Sequence, residues 1–185
     1  MTERTDLWIG TRRLFWGFLF LLLDFNLNFN STFTIPLVPN FVGWIFLWRG
    51  ADILSSARPS LGLLKPFCGV LGVFSLTQFL PALEAAAPGW LTLLLSVISL
   101  YTDFQLLTDL AALAQEALGE GRRVKRLRTA RTLIVAAKTA LYCYDLVVSL
   151  TALAVVLMAV SFCVQVFLLF QLWGLSRDLE KQQSP

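Results

Sequence analysis

No histidine occurs among the 185 residues, and that absence removes the commonest general base and the commonest metal ligand. Three cysteines, Cys68, Cys143 and Cys163, stand alone inside apolar segments. Without a Cys-x-x-Cys or His-x-x-x-His spacing, a zinc site, a redox dithiol and a Ser-His-Asp triad are all excluded by inventory. The cysteines read as small hydrophobes packed between helices. No motif implies a cofactor, a metal or a catalytic residue. Charge is scarce as well: 15% of the residues are charged, 57% are hydrophobic and the mean hydropathy is +0.70. Such a chain is too apolar for a water-facing globule.

The little charge that exists is arranged in blocks. Fourteen of the fifteen Lys and Arg residues fall in segments 1–13, 49–65, 109–131 and 174–185, and the stretches between are almost purely apolar. Basic residues are translocated poorly, so each block marks the cytoplasmic side of a membrane and the chain crosses outward and back between blocks. The longest charge-free run, Leu146 to Ser176, holds 31 residues, more than the ~20 that span hydrocarbon as a helix. The net charge of +3 sits beside apolar spans rather than on a stacking platform, which argues against nucleic acid and for anionic inner-leaflet lipid.

The expectation is an all-α, polytopic bundle of six transmembrane helices in one domain covering residues 1–185, with both termini cytoplasmic, in a bacterial plasma membrane. The spans fall at about 14–30, 33–48, 66–83, 89–108, 132–148 and 153–173, and the outer connections at 30–32, 84–88 and 149–152 hold no Lys or Arg. Thr11-Arg12-Arg13-Leu14-Phe15 resembles a twin-arginine export motif. It is followed by Asp24 and an asparagine-rich stretch instead of a small-residue cleavage site, so the arginines read as an inner-face anchor. Asn26, Asn28 and Asn30 alternate through the first outer link and suit a tight hairpin, with Pro36 and Pro39 opening the next helix. A rival with five crossings, and 122–144 flat on the surface, would strand Arg177 and Lys181 outside. Trp16, Trp48 and Trp173 fall at inner boundaries and Trp90 at an outer one; Trp44 lies deeper, where the headgroup argument does not reach.

Arg122, Arg123, Lys125, Arg126 and Arg128 lead directly into the fifth span and read as a basic helical segment lying on anionic headgroups. Gly69, Gly72 and Ser75, and Ala136 with Ala140, offer small faces for close helix approach.

Polar groups inside the spans mark candidate chemistry, because an Asp or Lys at mid-helix costs about 2.5 to 3.5 kcal/mol to insert. Asp24 with Asn28, the stripe Thr92, Ser96, Ser99 and Asp103, and the stripe Lys138, Tyr142, Asp145 and Ser149 each keep helical spacing. Gln165, one turn after Ser161, and Thr77 with Gln78 complete a polar interior. Asp24, Asn28, Ser99, Asp103, Lys138, Tyr142, Asp145 and Gln165 form its expected centre. Lys138 either pairs with one of the aspartates or extends toward the inner face.

Trp16-Gly17, Leu22-Leu23-Asp24-Phe25-Asn26 and Leu37-Val38-Pro39-Asn40-Phe41-Val42-Gly43-Trp44-Ile45 resemble a set of uncharacterised multi-helix membrane proteins of Gram-positive bacteria. Those relatives more often carry an acid at the position of Asn40. The resemblance covers mainly residues 14–50, more loosely the basic loop and 175–180, and implies architecture and location. Three functions stay open: a non-enzymatic bundle binding a small solute or a membrane partner, the substrate-binding subunit of a modular vitamin or metal importer, and an aspartate-dependent intramembrane enzyme using Asp24 and Asp103.

Overall fold

Proline and glycine set most of the boundaries. Pro39 and Pro88 stand immediately before helices, where a missing backbone donor costs nothing. Arg58 is held extended at φ −142°, ψ 102° by the proline that follows it. Gly119 ends the longest apolar helix but one at φ +76°, a left-handed conformation that a side chain would resist.

The computed structural model describes residues 2–23, 26–30, 33–36, 39–79, 87–147 and 151–182. Helix α1 covers Thr2–Leu22, and strands β1 (Asn26–Asn30) and β2 (Phe33–Pro36) follow it. Helix α2 covers Asn40–Leu54, the single turn α3 Pro59–Gly62, and α4 Lys65–Ser75, which runs into a 3-10 turn at Leu76–Phe79. Three long helices complete the chain: α5 (Gly89–Leu118), α6 (Arg122–Val147) and α7 (Thr151–Lys181).

The fold is all-helical, as expected, apart from one short antiparallel hairpin. β1 pairs with β2 in the register Asn26↔Pro36, Leu27↔Ile35, Asn28↔Thr34, with a bulge between Asn28 and Asn30. The first helix therefore stops at Leu22 rather than reaching Asn30 and extends back through the arginines to Thr2. Alternating asparagines have the period of a strand, and their amides compete with helical hydrogen bonds, so the helix has no reason to continue. The fifth and sixth spans are separate helices, ending at Val147 and beginning at Thr151; the turn expected at 149–152 lies for the most part outside the described residues. The basic segment and the fifth span are one continuous helix.

A ladder of leucines over glycines joins α1 to α2, the most extensive helix contact among the described residues. Each helix carries the spacing Gly-x3-Leu-x2-Gly-x3-Leu, at 10, 14, 17 and 21 in α1 and at 43, 47, 50 and 54 in α2. The helices run antiparallel: Leu54 lies over Gly10, Leu14 over Gly50, Leu47 over Gly17 and Leu21 over Gly43. A Cβ at Gly17 would stand 2.7 Å from Leu47 and 3.0 Å from the Gly43 carbonyl oxygen, so backbones approach here as only glycine permits. The small faces noted in the sequence behave differently. Gly72 packs under Trp44, but nothing lies within 4 Å of a Cβ at Gly69, and Ala136 is exposed.

The helices form a closed circuit, α1 to α2, α2 to α4, α4 to α5, α5 to α6, α6 to α7 and α7 back to α1. Ion pairs show which ends meet. Lys65 at the start of α4 bonds Asp52 near the end of α2, and Arg58 reaches Asp109 and Glu116 late in α5. Arg128 early in α6 bonds Gln115, and Arg123 bonds Asp178 late in α7. Successive long helices thus alternate in direction, and the basic blocks described here gather at one end of the bundle. Fully buried leucines, among them Leu14, Leu47, Leu106, Leu110, Leu127, Leu172 and Leu175, fill the half nearest that end. Toward the other end the outward faces stay apolar: Trp90, Val97, Val155, Val156 and Phe162 are all more than half exposed.

Gly17→Ala and Gly69→Ala separate the ladder from ordinary helix propensity. The first is expected to lose about 1–3 kcal/mol through overpacking and the second to gain up to about 1 kcal/mol. Unfolding of the purified protein in mild detergent reads both; equal effects would contradict the ladder.

Candidate functional site

Helix α5 carries its polar stripe into the interior. Ser99 and Asp103 are buried and Ser96 is half-buried, while Thr92 at the helix start is exposed. The neighbouring Thr102 hydroxyl donates to its own backbone at the Ile98 carbonyl, 2.7 Å away. From the facing helix α6, the Lys138 ammonium donates to Asp103 Oδ2 at 2.5 Å. The side chains are 20% and 1% exposed, so this is a buried ion pair in apolar surroundings, where each charge depends on the other. The second carboxylate oxygen, Asp103 Oδ1, is buried and has no hydrogen-bond partner among the described residues.

Beside the pair lies a recess of about 180 Å³. Phe18 from α1, Asn40 and Trp44 from α2, Asp103 from α5, Lys138 from α6 and Gln165 from α7 line it, so five helices contribute. Gln165 also donates to Ser161 across a long 3.5 Å. A second recess, about 230 Å³, shares Asn40 and Trp44 and is lined further by Thr77, Thr92, Ser96, Ser99 and Tyr142. Trp44 is the wall between the two. Its depth, unexplained by headgroup anchoring, follows from this position: it is 8% exposed, whereas Trp16, Trp48, Trp90 and Trp173 are 39% to 67% exposed.

The polar stripes read from the sequence thus divide. Asp103, Lys138 and Gln165 meet at the first recess, and Ser99 and Tyr142 meet at the second. Asp24 lies outside the described residues. Asn28 sits in β1 and Asp145 in α6, and the surroundings of their side chains also lie outside what is described. Of the three aspartates considered for Lys138, Asp103 is paired with it; the side chains of Asp24 and Asp145 lie outside what is described.

Several features were not anticipated. Asp109, 5% exposed, accepts from Ser60 at 2.8 Å and Gln105 at 3.0 Å, with Arg58 at 3.6 Å, and so pins the α2–α4 connection to α5. Cys143 and Cys163 are exposed, and only Cys68 is buried as expected; the other two lie on outward faces of α6 and α7. The basic segment of α6 is partly engaged within the protein. Arg123 bonds Asp178 at 2.9 Å, in space that a side chain at Gly174 would take, and Arg128 bonds Gln115. Arg122, Lys125 and Arg126 remain exposed. Among the described residues no group of three His, Cys, Asp or Glu is placed to hold a metal ion.

Comparison with known proteins finds no matching family model, curated protein or solved structure.

Lys138→Met would leave the Asp103 carboxylate buried without its partner, at a cost of about 3–5 kcal/mol. Lys138→Met with Asp103→Leu should restore most of that loss. A double-mutant cycle by detergent-phase unfolding measures it, and additive losses would contradict a mutually dependent pair.

Proposed function

We propose that this chain is a non-enzymatic, multi-pass protein of the bacterial plasma membrane that holds a small polar solute beside the Asp103–Lys138 pair. Two helices, Gly89–Leu118 and Val155–Lys181, are long and apolar enough to cross a bilayer, and only 33% and 28% of their most apolar windows is buried inside the protein. Contiguous apolar surface of that kind is unsuited to water. The remaining crossings, with both termini inside, rest on the gathering of basic blocks at one end of an alternating bundle. Likeness to the multi-helix proteins of Gram-positive bacteria agrees with the same placement. Arg122, Lys125 and Arg126, exposed on α6, would meet anionic inner-leaflet lipid, and Arg123 and Arg128 contribute to that surface only beyond their internal bonds.

The observation that carries the solute reading is the unpartnered Asp103 Oδ1. A group glued purely for stability would have its acceptors filled, since an unmade buried hydrogen bond costs about 1–3 kcal/mol. Here the free acceptor belongs to a residue lining a recess with two side-chain amides, Asn40 and Gln165, and two aromatic walls, Phe18 and Trp44. That lining suits a solute with an N–H or O–H donor and an apolar face. About 180 Å³ is below the ~300–1,000 Å³ of drug-sized sites, so the occupant is of amino-acid size or smaller.

Two measurements test the proposal. Alkaline carbonate should leave the chain in the membrane pellet, with a reporter fused at residue 182 active inside and one at residue 149 active outside. Release into the supernatant, or reporters on the same side, contradicts the topology. A thermal-shift panel of small amines, amidines and amides should yield a stabilising solute, worth about 2.7 kcal/mol at a hundredfold excess over Kd. Asp103→Asn should lose that shift; a panel that moves nothing, or an unaffected variant, contradicts the site.

A further inference from the structure

We propose that the cleft between α1 and α7 at the basic end binds the singly charged phosphodiester headgroup of an anionic phospholipid. This inference rests on the membrane reading above but on none of the residues of the central recess. Trp8 and Arg12 stand one turn apart on α1, and Trp173 and Arg177 stand one turn apart on α7. Each guanidinium lies over the indole of its own helix, 5.5 Å from the Trp8 ring centroid and 5.1 Å from that of Trp173. All four side chains line one recess of about 230 Å³, together with Ser176 and Glu180.

Stacking positions a guanidinium without consuming its N–H donors, which remain in the ring plane for an oxyanion. Neither Arg12 nor Arg177 has an ion-pair partner among the described residues. A third donor belongs to the same recess: the Trp8 indole N–H is buried and has no acceptor among the described residues. Two arginines, Trp8 and Ser176 line this one recess, and guanidinium, indole N–H and hydroxyl are donor types that phosphate recognition uses. Glu180 sets the charge class. Two cations and one carboxylate leave the cleft with a single net positive charge, which matches a monoanionic phosphodiester and disfavours a dianionic phosphomonoester. The Glu180 carboxylate can in turn accept from a headgroup hydroxyl, so phosphatidylglycerol fits the whole set. Exposed Trp16 and Trp173 rings border the cleft and suit headgroup depth.

The test uses the full chain in detergent, titrated with short-chain phosphatidylglycerol and read by native mass spectrometry. Wild-type protein should retain phosphatidylglycerol in preference to phosphatidylcholine and phosphatidylethanolamine. Arg12→Gln or Arg177→Gln should weaken retention about fivefold, and both together about 25-fold, as about 1 kcal/mol per basic group at a lipid surface implies. Trp8→Phe, which keeps the ring and removes only the N–H, should also weaken it, and Glu180→Gln should admit phosphatidic acid. Undiminished binding by the folded double arginine variant, or equal binding of phosphatidylcholine or phosphatidylethanolamine, would overturn the proposal. Competition by glycerol phosphate as strong as by the lipid would assign the cleft to a soluble phosphoester instead and overturn the lipid. Release by carbonate would remove the bilayer reading itself; a chain kept in the pellet whose arginine variants bind lipid normally would remove only this site.

Discussion

A lysine and an aspartate cannot be buried among leucines separately. Asp103 and Lys138 are therefore held against each other, and that pairing sets α5 and α6 in register at mid-bundle. From this constraint the rest of the interior follows. α5 must present its Ser99–Asp103 stripe inward, which leaves Val97, Tyr101 and Phe104 facing out. Because the ammonium occupies only one carboxylate oxygen, the pair is a polar centre with spare capacity as well as a clasp.

The glycine ladder supplies the opposite wall. Bringing α1 and α2 to backbone contact turns Trp44 inward toward Gly72, and the indole then separates the recess of Asp103 from that of Ser99 and Tyr142. Phe18 and Leu21 come to the same recess from α1. Close packing on one side and a buried charge pair on the other thus enclose one small space. Away from the basic end the helices turn apolar faces outward, a distribution that bilayer hydrocarbon accepts and water does not.

Much of this was readable in the sequence, and the failures have physical causes. Long apolar segments bounded by Pro88 and Gly119 mark α5 plainly, and three-and-four spacing places Ser99 and Asp103 on one face before any coordinates. Lys138 is recognisable as a charge needing a partner, but the sequence offers three aspartates and spacing does not rank them. The two-residue period of the asparagines at 26, 28 and 30 is that of a strand and fits the tight hairpin; hydropathy alone carries the first span eight residues beyond the end of its helix at Leu22. Neither Gly-x3-Leu-x2-Gly-x3-Leu run means much alone; the sense of the ladder lies in the antiparallel match between two segments. Residue type alone points Cys143 and Cys163 inward, yet in an apolar environment a small thiol faces outward as readily as inward.

Spin labels in lipid nanodiscs address the central claim, that apolar faces meet lipid while a polar recess lies within. Labels at Val97 and Val156 should relax strongly with dissolved oxygen and weakly with a water-soluble nickel chelate, whereas a label at Lys181 should do the reverse. Strong nickel relaxation at Val97 and Val156 would mean that these faces see water, and the bilayer bundle would be contradicted.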